Sequence, residues 1–331
     1  MTRKLLTLLS ALLLFLQVQG QDIHFSQFFN MPALVNPAST GFFNGNYRFN
    51  AIYRSQWKSV TVPYQTGMVS AELSLGAGHR RTNVSGLGLL VGSDKAGDSR
   101  FTTSKVLLSY AYHVGLGNFG KQHISMGIQT GMNSSYIDYT HLKFDEEFLG
   151  GNTNENDNFN SAHYFDLNMG MEYTYTQYKA NQYFFGASIY HVNQPSYTFM
   201  NNLESHMFRR YQVNAGADIK LGRSYQLYPR AYVASEGPLK ELVFGSLACF
   251  DLKPTTHQDT RFYLGTFLRW NDAFITMLRC DIQNFTMSFS YDFTVSSLSN
   301  TNYSMGGPEL ALSYRGFLPN AKHKSVYCPR F

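Results

Sequence analysis

The chain has 331 residues, with 27 Lys and Arg against 22 Asp and Glu, for a formal charge of +5. Its basic residues are scattered rather than gathered on one face, which excludes a nucleic-acid binder. The three cysteines, Cys249, Cys280 and Cys328, show no CxxC or Cys/His ligand spacing, which argues against a zinc site, and they are read as unpaired thiols.

Residues 1–20 read as a signal peptide. A basic start at Arg3 and Lys4 precedes a nearly unbroken apolar run from Leu5 to Leu16, and Val18 and Gly20 suit the −3 and −1 cleavage positions. The apolar run is shorter than the ~20 residues of a spanning helix. With Arg3 and Lys4 removed, 25 basic residues face 22 acidic ones, or +3. After Gly20 no apolar stretch approaches the ~18 residues that mark a spanning helix, so membrane residence would rest on strands. An aromatic content of 16%, with 27 Phe and 23 Tyr, fits strands that run between aromatic girdles.

Residues 21–43 carry no strand pattern and are expected in the periplasm. Beyond them, period-2 alternation recurs to residue 317. Strands are predicted at 46–57, 65–75, 84–93, 101–115, 122–137, 162–177, 182–193, 206–222, 225–235, 239–252, 261–271, 273–283, 285–297 and 308–317. The clearest sets Phe285, Met287, Phe289, Tyr291 and Phe293 against Thr286, Ser288, Ser290, Asp292 and Thr294. The pattern is weakest over 225–283, where Pro229, Pro238 and mixed faces interrupt it. The polar, Asn-rich run 144–161 reads as an extracellular loop between the fifth and sixth strands, and 318–331 as a basic periplasmic tail.

Alternation alone allows a soluble sandwich or a barrel in lipid. Runs of ~11 residues exceed the mode of ~5–6 in soluble sheets and match what a tilted bilayer crossing needs. The predicted fold class is therefore all-β, a single antiparallel transmembrane barrel of about fourteen strands over 44–317. Arg48, Arg54, Lys105, Glu172, Arg210, Asp218, Lys220, Arg269 and Asp292 fall on the polar faces and are expected to point inward, as a bracing network or as the lining of a pore.

No motif points to catalysis, a cofactor or a metal. Gly115-Leu116-Gly117-Asn118-Phe119-Gly120 matches GxGxxG, but amphipathic strands flank it where the phosphate-binding version opens a helix, so it reads as a turn. The oxygen-rich 152–158 lacks EF-hand spacing. Ten histidines are dispersed with no GxSxG elbow, so the chain reads as non-enzymatic.

Several short elements occur in a telling order. These are Gln21-Asp22-Ile23-His24-Phe25-Ser26-Gln27, then Asn36-Pro37-Ala38 with Gly41, Tyr53-Arg54-Ser55-Gln56-Trp57, Ser290-Tyr291-Asp292, and Gly307-Pro308-Glu309-Leu310. Together they resemble the PorP/SprF family of the type IX secretion system across nearly the whole mature chain. Ile23 stands where Pro is usual, and Pro308 where His is common. The resemblance implies an outer-membrane protein that supports export or surface anchoring of proteins with C-terminal sorting domains, such as adhesins, in bacteria with gliding motility. The implied partners are outer-membrane lipid, a sorting-domain substrate and a periplasmic type IX component. The alternative is a diffusion or uptake porin of the same fold. Tyr53, Arg54 and Trp57 are candidate partner-binding residues, because Arg beside large aromatics is a common anchor chemistry.

Overall fold

The computed structural model describes residues 22–56, 62–76, 83–97, 100–117, 121–138, 161–177, 181–199, 205–222, 224–251, 260–296 and 304–318. The expected signal peptide, Trp57, the run 144–160, Cys328 and the tail from 319 lie outside them. The described residues include fourteen strands: β1 Tyr47–Gln56, β2 Tyr64–Leu75, β3 Val84–Ala96, β4 Phe101–Leu116, β5 Gln122–Tyr136, β6 Ser161–Thr176 and β7 Gln182–Tyr190 form the first half. The second half is β8 Arg210–Lys220, β9 Tyr225–Glu236, β10 Leu239–Asp251, β11 Thr260–Arg269, β12 Ala273–Ile282, β13 Phe285–Thr294 and β14 Met305–Gly316. Each pairs antiparallel with its sequence neighbours, and β1 pairs β14 from Tyr47↔Gly316 to Arg54↔Glu309, which closes the barrel and leaves no sheet edge.

Alternation decides which face meets lipid. On β13 the even-numbered Ser288, Ser290 and Asp292 are buried, while Phe285 is 64% and Met287 57% exposed. Leu108 at 60% and Met126 at 62% repeat this on β4 and β5. In water so much outward apolar surface would be an aggregation hazard; in a bilayer it is the lipid contact.

Connections 137–160 and 191–209 are the long ones, and both lie at the end reached by β1 at Gln56. This loop end is the external one by the rule that outer-membrane barrels carry long loops outside and short turns in the periplasm. The opposite turn end holds Asn46 and Gly316.

The expectation of a periplasmic 21–43 does not hold for the described part, residues 22–43. This segment runs down the lumen from loop end to turn end as a plug, with a 3₁₀ turn at Phe28–Asn30, one helical turn at Pro32–Val35 and a second 3₁₀ turn at Pro37–Ser39. Its composition explains why. Phe25, Phe28, Phe29, Met31, Phe42 and Phe43 are all buried and would be poorly placed in an aqueous compartment.

The plug also explains the weak pattern over 225–283. The inward face of β9–β12 is apolar there, with Tyr232, Val243, Leu247, Phe267 and Ile275 packed with Phe28, Phe29 and Val35. With lipid on the other face, both sides of these strands are apolar and the alternation disappears. Pro229 sits within β9, and Arg230 Nη1 donates to the carbonyl of Ala217 on β8 beside it. The predicted strands 182–193 and 206–222 are shortened: β7 ends at Tyr190 because His191 takes φ +55°, and β8 begins at Arg210.

Candidate functional site

The plug is held by carboxylates that the strands turn inward. Glu309 on β14 accepts the backbone N–H groups of Ser26 at 2.9 Å and Gln27 at 2.7 Å. Asp292 on β13 accepts from Ser26 Oγ at 2.6 Å and from Arg54 Nη2 at 2.9 Å. Gln27 donates to Ser290 Oγ at 3.0 Å and accepts from Ser288 Oγ at 2.6 Å. Ser26, Gln27, Arg54, Ser290, Asp292 and Glu309, far apart in sequence, therefore meet at one lock.

Halfway down, Asn36 makes a second anchor. Its Oδ1 accepts from Ala38 N at 3.0 Å, while Nδ2 donates to Met171 O at 3.0 Å and Asn214 Oδ1 at 3.1 Å. The turn it starts lies so close to the wall that a Cβ on Gly127 would fall on the backbone of Pro37, and one on Gly86 on the carbonyl of Thr40. Glu172 takes Ser39 Oγ at 2.9 Å, and Glu72 takes Gly41 N at 3.0 Å while paired with Arg48 at 2.8 Å.

Of the nine charges expected inside, Arg48, Arg54, Lys105, Glu172, Arg210, Arg269 and Asp292 are buried. Asp218 is half-buried and pairs with Arg230, while Lys220, at the turn end of β8, is exposed. The buried charges brace the lumen as ion pairs and plug contacts.

At the loop end the plug begins in a charged knot. Asp22 pairs with Lys105, approaches His191 Nε2 at 3.7 Å and Arg210 at 3.8 Å, and His191 Nδ1 lies 2.9 Å from Asp166. Burial alone would raise the Asp22 carboxyl, but Lys105, His191 and Arg210 outweigh it and hold it well below the usual range. Burial works against the His191 cation too, yet its bonds to Asp166 and Asp22 push it up to about 9. His24 goes the other way, to about 4, through burial and the cations Arg54, Arg269 and Arg210, against the pull of Glu241.

Above this knot lies a vestibule of about 650 Å³. Asp22, His24 and Arg54 line it together with Tyr64, Phe101, Tyr164, Tyr197 and Phe208. Tyr164, Tyr197, Phe199 and Phe101 form an edge-to-face chain of rings with centroids 5.3–6.1 Å apart. The 191–209 connection folds back on itself through a bridge between Ser196 and His206, which fixes Tyr197 in that wall.

The structure separates the candidate partner residues. Tyr53 is 50% exposed on the lipid side, whereas Arg54 is buried inside and donates to His24 O at 3.0 Å. Adjacent strand residues point to opposite faces, so these two form no common patch. The plug lock and the aromatic vestibule were missed from sequence. The available signal was the density of Phe in a segment with no strand period.

A family model for the type IX secretion system membrane protein PorP/SprF matches residues 17–314. The chain belongs to this family. Its match spans the plug and nearly all of the barrel, so the lock and vestibule lie within the part shared with the PorP/SprF family. Comparison with curated proteins gives no match. Among solved structures, the Ralstonia pickettii toluene transporter TbuX is similar at a TM-score of 0.50 and 11% identity, over 86% of this chain and 92% of that one. The CymD monoaromatic hydrocarbon channel is similar at 0.50 and 8%, over 89% and 94%. At these identities the likeness is one of fold, an outer-membrane barrel.

Proposed function

We propose that this PorP/SprF-family barrel is a non-enzymatic, non-conducting anchor of the outer membrane. It is exported with residues 1–20 removed, and it supports export or surface attachment of proteins with C-terminal sorting domains, such as adhesins. The observation that carries this reading is the filled lumen: a segment running its length is locked by Glu72, Glu172, Asp292 and Glu309, which is an arrangement for holding a wall rigid rather than for passing solute. A partner would engage the loop end, where the vestibule offers aromatic rings beside charged groups. Affinity purification of the tagged full-length protein from its native outer membrane in mild detergent tests this. Recovery of a large sorting-domain protein, or of a periplasmic type IX component, is expected; a partner-free barrel with open pores would favour the porin reading.

A further inference from the structure

The outer wall carries a second recess, on the opposite side of the sheet from the plug. Across β14, β1, β2, β3 and β4 the outward residues of one row of register partners are Leu310, Tyr53, Gly67, Ser93 and Ser104. In the next row toward the turn end, Ala51 stands between Leu312 and Val69, followed by Val91 and Val106. Gly67 has no side chain and Ala51 only a methyl, so a groove of about 530 Å³ opens between the larger neighbours. The space is free: a Cβ on Gly67 would meet nothing nearer than the Tyr53 ring at 3.8 Å.

The groove is amphipathic along its length. Its body is Tyr53, Val69, Val91, Val106, Leu310 and Leu312. Toward the loop end come the hydroxyls of Ser93 and Ser104, and one row further the outward side of Gln65, Lys95 and Thr102, which are register partners. Lys95 has no ion-pair partner among the described residues and stands on the outward face near the outer rim, where a headgroup phosphate is the complementary charge.

We propose that this groove is a binding site for a phosphate-bearing, acylated lipid of the outer leaflet. One acyl chain lies over Gly67 and Ala51 between the valines and leucines, and its phosphate meets Lys95 with Ser93 and Ser104. The site is independent of the sorting-domain reading, since it uses the lipid face of β14 and β1–β4 and no residue of the plug lock or vestibule walls.

Native mass spectrometry of the detergent-purified full-length protein tests it, with dimyristoylphosphatidylglycerol and the phosphate-free dimyristoylglycerol as probes. The wild type should retain one phosphatidylglycerol at least tenfold better than diacylglycerol. Gly67→Leu, which fills the recess, should weaken both at least tenfold, and Lys95→Gln should weaken only the phosphatidylglycerol. Val213→Leu, on the lipid face of β8, should change neither, and heat-modifiable migration on gels verifies that every variant is folded. Equal retention by wild type and Gly67→Leu, or no preference for the phosphate, would overturn the proposal. So would release by Gly67→Leu of a bound protein instead of a lipid.

Discussion

Glu309→Ala isolates the lock from the barrel. The carboxylate is fully buried and receives two consecutive backbone N–H groups of the plug, at 2.9 and 2.7 Å, with the Arg54 guanidinium 3.8 Å away. Hydrogen bonds to a charged group contribute about 1.5–3 kcal/mol each, and removing one member of a buried charged set costs about 3–5 kcal/mol. The strand pairing of the wall is kept, because the backbone register of Glu309 with Arg54 and Ser290 does not involve its side chain, and Arg54 keeps its ion pair with Asp292. The released plug is therefore favoured by roughly 100- to 4,000-fold, at a factor of ten per ~1.4 kcal/mol. A thiol reporter at Ala33, which is 1% exposed in the plug, reads this as a maleimide-labelling rate after Cys249, Cys280 and Cys328 are replaced by Ser. Labelling in the Glu309→Ala background should rise by that factor while heat-modifiable migration of the barrel is kept. An unchanged labelling rate would refute the argument that Glu309 seats the plug.

Three further outcomes follow from the same contacts. Gly127→Leu places its side chain on the backbone of Pro37 and should expel the plug turn with the barrel intact, so that the Ala33 reporter labels as fast as in unlocked variants. Asn36→Ala gives up three hydrogen bonds and leaves Met171 O and Ala38 N without this partner, for a loss of about 1–3 kcal/mol in plug retention, read in the same assay. Because the His191 value in the folded protein is raised to about 9, its contribution is fully present below its ordinary 6.5 and lost as pH rises through 9. The difference in plug retention between wild type and His191→Gln should shrink from pH 6.5 to 9.5, and a constant difference would sink this assignment.

Legibility in the sequence followed the environment of each face. Where a strand had lipid on one side and polar lumen on the other, as in β13 with Phe289 against Ser288 and Ser290, period 2 located it to within about three residues. Where the lumen was filled by Phe28 and Phe29, as opposite Tyr232 and Phe267, the contrast vanished although strands formed. The plug itself lay beyond any periodicity, since its conformation is set by contacts with residues up to 283 positions away, such as Ser26 with Glu309. The short motifs that carried the family resemblance were visible singly. That Ser26, Arg54, Asp292 and Glu309 converge on one lock required the closure of β1 onto β14. Arg54 and Tyr53 show the limit of adjacency: the pair looked like one anchor but serves the lumen and the outer wall separately.

The most direct test of the central claim is the conductance of the full-length wild-type protein, purified from its native membrane and reconstituted in a planar bilayer. A barrel sealed by residues 22–43 should give no steady conductance, with steps appearing when Glu309→Ala or Gly127→Leu frees the plug. Steady ohmic steps from the wild type would contradict the anchor reading and establish an open pore.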